Sequence, residues 1–129
     1  MLKKTITYTD YNGVERTEDF YFNLSKAEIA EMELEIPGGM AALIERITKT
    51  KDTPSLVKMF KDLILRAYGE KSDDGKRFVK SKELRDGFEQ TEAYSELFIE
   101  LASNADAASA FINGITPKVD SKKIAAKAE

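Results

Sequence analysis

The sequence predicts an α+β fold, mostly helical, with an N-terminal β-hairpin packed on a bundle of about five to six short helices. Three observations predict it. Residues 2–24 alternate apolar and polar side chains on either side of the turn Asp10-Tyr11-Asn12-Gly13, the period-2 pattern of half-buried strands. The capping residues Ser25, Thr53, Ser81, Thr91 and Asn104 precede segments with helical apolar spacing. The 129 residues are 42% apolar and 33% charged, which suits one folded domain over residues 1–116 with enough surface to bury a core.

The strands fall at 2–9 and 14–24. Leu2, Ile6 and Tyr8 alternate with Lys3, Thr5, Thr7 and Thr9; Phe20, Phe22 and Leu24 alternate with Asp19, Tyr21 and Asn23. A two-residue Asn12-Gly13 loop would put the two apolar sets on opposite faces of the sheet. A three-residue loop over 11–13 pairs Asp10 with Val14 and brings both sets to one face. Asp10 suits the first position of a type I turn, and Gly13 the left-handed position after it. The hairpin's apolar face must then be covered by helices.

Ser25-Lys26-Ala27-Glu28 reads as a capping box opening a helix over 26–35, which Pro37-Gly38-Gly39 stops. The glycine pair lacks the phosphate-loop pattern and reads as a plain turn. A second helix covers 40–48, with Met40, Leu43, Ile44 and Ile47 on one face, and a polar link follows over 49–52. Thr53-Pro54 gives a cap and a first-turn proline for a third helix over 54–68. Its Leu56, Val57, Phe60, Leu63, Ile64 and Ala67 form the core stripe, and Gly69 stops it. Residues 70–80 form a turn, Ser72-Asp73-Asp74-Gly75, and a short extended piece, Arg77-Phe78-Val79. The turn lacks the alternating carboxylates of a calcium loop. Further helices cover 82–89, then 92–103, with Tyr94, Leu97, Phe98 and Leu101 inward. A small-residue helix follows Asn104, and its alanines at 105, 107, 108 and 110 permit close helix approach. Residues 117–129 carry four lysines against Asp120 and Glu129 and read as a flexible basic tail.

Composition narrows the function. Without Cys there is no disulfide or thiolate chemistry; without His the commonest general base and metal ligand is missing. Acid pairs such as Glu31/Glu35 and Glu96/Glu100 read as exposed helix faces, so no enzyme, metal site or cofactor is expected. A net charge of -3 opposes general nucleic-acid binding. With no signal-peptide h-region and no membrane-length apolar run, the chain reads as cytosolic. The charge is uneven. Residues 14–36 hold seven acids against Arg16 and Lys26, a net of -5, while 40–66 hold six bases against three acids, a net of +3. Glu28, Glu31 and Glu35 on one face and Lys58, Lys61 and Arg66 on another are candidates for head-to-tail self-association.

Four segments carry a resemblance: YFNLSKAEIAEMELE (21–35), LVKMFKDLILRAYG (56–69), EKSDDGKRFVKS (70–81) and FEQTEAYSELFIELASNADAASAFINGITP (88–117). Together they cover most of the chain, which resembles the tail assembly chaperones of long-tailed bacteriophages and prophages of Gram-positive bacteria. The resemblance implies a non-catalytic protein of the host cytoplasm. Such a protein binds the tape measure protein in multiple copies, keeps it soluble, helps recruit tail tube subunits and is absent from the finished virion. It also implies that many such phages make a longer, frameshifted form. A chaperone of this kind needs an apolar surface inside a charged exterior. The candidates for it are Phe98, Ile99 and Leu101 in the fifth helix and Phe111 and Ile112 in the sixth, with Ile99 the best single choice because it lies beside the core stripe. The competing readings are a structural virion protein, such as a tail completion or head–tail joining component, and a small acidic regulator of a host protein.

Overall fold

The computed structural model describes residues 1–49 and 53–117, apart from the side chains of Met40, Thr48 and Thr53. Of the polar link expected at 49–52, Lys49 belongs to the second helix and residues 50–52 lie outside that description, as do the Thr53 cap and the basic tail beyond Pro117.

The chain is α+β and mostly helical. Strands β1 (Leu2–Thr9) and β2 (Glu15–Phe22) form the hairpin. Helices α1 (Lys26–Glu35), α2 (Gly39–Lys49) and α3 (Thr53–Ala67) follow. Two short strands, β3 (Tyr68–Lys71) and β4 (Phe78–Val79), precede α4 (Lys82–Glu89), α5 (Glu92–Ser103) and α6 (Ala105–Ile115). The sheet is antiparallel throughout, in the order β1-β2-β3-β4.

The three-residue hairpin loop is present. Thr9 pairs with Glu15, and Leu2 with Phe22 at the far end. The Asp10 N–H donates to the Val14 carbonyl at 2.9 Å, and Gly13 takes a φ of 80°, where a side chain would be strained. Asp10 holds the loop further by accepting from the Asn12 and Val14 N–H groups and from Arg16. The register turns Leu2, Ile6, Tyr8, Phe20 and Phe22 toward the helices. Lys4 occupies the same face and satisfies its charge on Glu100 of α5 at 2.8 Å.

The caps follow the local chemistry. Ser25 and Glu28 exchange both bonds of a capping box, and Ser81, Thr91 and Asn104 accept from backbone N–H groups in the first turns of α4, α5 and α6.

Strand β2 spans Glu15–Phe22 rather than 14–24 and α2 spans Gly39–Lys49 rather than 40–48, and two further features differ from expectation. The third helix ends at Ala67, and Tyr68 and Gly69 already pair with Phe22 and Tyr21 as strand β3. Gly69 is therefore no helix stop. A Cβ there would come within 2.7 Å of the Phe78 ring and of the Val79 carbonyl, so the glycine is needed for close strand approach. The inward face of α5 is also rotated. Ala93, Leu97 and Leu101 are its buried line, whereas Tyr94 and Phe98 are only half-buried.

The core runs between the sheet and the helices, centred on Phe22, which is wholly buried. Its ring lies 5.3 Å from Phe111, 5.7 Å from Phe88 and 5.7 Å from Tyr68. Tyr68 stacks on Phe88 at 4.2 Å with an interplanar angle of 7°. Such ring contacts add about 0.5–1.5 kcal/mol each beyond area burial.

Candidate functional site

Helix α3 packs on α5, and α5 on α6, but neither α2 nor α3 packs extensively along α6. The divergence opens an apolar groove of about 560 Å³. One wall is aliphatic and aromatic: Ile44 and Ile47 of α2, Leu56 and Phe60 of α3. The other is narrow-sided: Leu101, Ala102 and Ser103 at the end of α5, then Ala105, Ala108, Ser109 and Ile112 along α6.

The cause is local. Helix α2 has its apolar residues on one face, and α3 has a stripe broad enough to serve both the core and the groove. Leu63, Ile64 and Ala67 are spent on the core, while Leu56, one turn before Phe60, is only half-covered. Helix α6 keeps Phe111, Ile112 and Ile115 inward and presents small residues on its groove side. Small side chains leave room for another helix to come close. Among the described residues no titratable side chain lines the groove, so what these residues can do chemically is exclude water from apolar surface.

The five residues expected to contact a client are distributed unevenly. Leu101 and Ile112 lie on the groove wall, each nearly buried. Phe111 is buried in the core against Phe22. Phe98 is half-buried beside Tyr94, its ring 6.0 Å away. Ile99 is 61% exposed and stands one turn before Ala102 and Ser103, outside the groove lining. The residues missed by sequence reasoning are Ile44, Ile47, Leu56 and Phe60, because an apolar helix stripe looks the same whether it faces core or groove. The alanines of α6 were the available signal.

The six charges expected at a self-association surface separate into two groups. Glu28 is held by Lys80 at 2.6 Å, Glu35 by Arg66 at 3.3 Å, and Lys61 by Glu89 at 2.9 Å. Glu31 and Lys58 are exposed and have no ion pair among the described residues. Burial pushes the Glu28 carboxyl up, but the Lys80 ammonium and the Ser25 N–H outweigh it and hold the group below the usual carboxylate range. The Glu89 carboxylate raises the Lys61 ammonium.

In the acidic turn, Asp74 accepts from the Ser72 hydroxyl at 2.7 Å and from the Lys76 N–H at 3.0 Å, which lowers its pKa, the backbone bond contributing most. Its carboxylate is committed to closing the turn. Among the described residues there is no cluster of three or more potential metal ligands, and no helix is long and apolar enough to cross a membrane.

Comparison with curated proteins and with solved structures finds no match. A family model described as phage tail assembly chaperone matches residues 1–129.

Proposed function

The chain belongs to the phage tail assembly chaperone family, and from that premise we propose that it binds the tape measure protein of its phage by receiving client helices in the α2–α3/α5–α6 groove. In this reading it keeps the client soluble in the host cytoplasm, helps recruit tail tube subunits, and leaves before the virion is complete. The reaction is binding without catalysis.

The groove is the observation that carries the reading. A tape measure protein is long and helical, and its apolar stripes aggregate until they are covered. The groove offers a large apolar wall for side chains and a small-residue wall along which a helix backbone can lie. Two or three anchoring side chains at about 1.5–3 kcal/mol each give at most micromolar binding per site once ordering costs are deducted. Holding a long client therefore takes several copies along it.

Ser109 tests the site because it is exposed, lies on α6 and lines the groove without entering the core. Ser109→Glu puts a charge where apolar client surface would sit. It should leave the circular dichroism spectrum unchanged and reduce the tape measure protein recovered in the soluble fraction at least about tenfold. Undiminished recovery by a folded Ser109→Glu protein would place the client elsewhere.

A further inference from the structure

Strand β1 closes one side of the sheet: it pairs with β2, and among the described residues no strand pairs with its other edge. Helix α5 runs along β1, with Glu100 bonded to Lys4 at 2.8 Å and Glu92 accepting from the Tyr11 hydroxyl at 3.0 Å. Tyr94 and Phe98, on the other flank of α5, lead toward Phe88 and so toward β2. The Glu92 flank therefore lies beside the open edge. Ile99 shares that flank and is 61% exposed. Glu96, one turn from both Glu92 and Glu100, is exposed and has no ion pair among the described residues. An uncovered apolar side chain bordered by carboxylates is complemented by a basic segment with an apolar residue of its own.

The chain leads to this surface. The Ile115 carbonyl accepts from the Leu24 N–H at 2.8 Å, just past β2, and a Cβ on Gly114 would come within 2.9 Å of the Leu2 side chain. Helix α6 thus ends at the foot of β1. Residues 118–129 follow, with Lys118, Lys122, Lys123 and Lys127 against Asp120 and Glu129, and with Ile124 between Lys123 and Lys127. Lys4, which marks the level of Glu100, is only about 7 Å along β1 from Leu2. The chain from Pro117 to Ile124 can span about 23 Å, so Ile99 is within its reach.

We propose that the segment Lys118–Glu129 straps across the outer flank of α5 in its own molecule, with Ile124 on Ile99 and its lysines toward Glu92 and Glu96. The strap covers the exposed apolar residue of α5 and shields the adjacent strand edge, which would otherwise invite pairing with a foreign strand. Neither Ile99 nor Glu96 lines the groove, so the strap leaves the groove open. Few contacts are needed. A tethered segment is held at an effective concentration on the order of millimolar, so one apolar contact and two or three solvent-exposed ion pairs suffice to localise it.

The sequence has no Cys, so an introduced pair reports its own contact alone. In the full chain at low protein concentration, Ile99→Cys with Ile124→Cys should oxidise to an intramolecular disulfide at least about tenfold faster than Leu34→Cys with Ile124→Cys. Leu34 is the fitting control: it is 90% exposed, and its helix α1 starts from the same end of β2 but lies off the strap's path. Glu96→Lys should slow the first pair about two- to fivefold, as should raising salt from about 0.1 M to 1 M. Ile99, Leu34 and Glu96 are exposed, so the fold is expected to survive each change, which circular dichroism verifies. A second measurement keeps Ile99 in place: a nitroxide on Ile124→Cys alone should broaden the backbone NMR signals of Glu96 and Ile99 more than that of Leu34. Equal oxidation rates for the two pairs, disulfides formed between molecules, a Glu96→Lys rate equal to the parent's, or a nitroxide that broadens both helices alike would each overturn the proposal.

Discussion

Lys80 ties three parts of the chain to one ammonium. Its Nζ donates to the Asn23 carbonyl at 2.6 Å, to Glu28 Oε2 at 2.6 Å and to the Arg66 carbonyl at 2.8 Å, so all three protons are used. The last contact places a cation in the final turn of α3, where the helix dipole favours it. Burial pushes the Lys80 ammonium down, and the Glu28 carboxylate restores only part of the loss. Lys80→Ala would leave two carbonyls and a carboxylate without their donor and should cost about 2–3 kcal/mol in urea unfolding. The pH dependence has a definite sign. The folded Glu28 carboxyl lies below its ordinary value of 4.5, so its contribution is complete above that pH and is lost as pH falls through the folded value. Glu28→Gln should therefore flatten the decline of stability below about pH 4.5. Asp10 and Asp74, also lowered by their hydrogen bonds, should supply the slope that remains.

Among the elements, the junction of α3 with β3 is the least forgiving. The chain leaves the helix at Ala67 and enters the sheet at Tyr68 without a loop. Gly69→Ala would drive a methyl group into Phe78 and the Val79 carbonyl, both 2.7 Å from the added Cβ. Strand β4 would have to shift, at about 1–3 kcal/mol by thermal or urea unfolding. This junction also marks where sequence reading ends. Capping boxes and hairpin loops depend on neighbours a few residues apart, so Ser25, Ser81, Thr91, Asn104 and Gly13 could each be read from the chain. Strand β3 could not. Its partner, Tyr21, is 48 positions from Gly69, and the apolar spacing of α3 runs through Ala67 to Tyr68 without interruption. The groove was hidden for a related reason. Leu56 and Phe60 keep the helical period of Leu63 and Ile64, and only the divergence of α6 decides which of them meet protein and which meet solvent.

At the scale of the whole molecule, the chain carries an aromatic core that fixes the sheet on the helices, an apolar groove at one side, and acidic and basic helix faces outside it. The central claim is that the groove receives tape measure helices. Co-expression of the full chain with the tape measure protein of the same phage, followed by size-exclusion chromatography with light scattering, tests it most directly. The account predicts a soluble client that co-elutes with several copies of this chain, and a mass that sets the stoichiometry. An insoluble client, with this chain eluting alone, would contradict it.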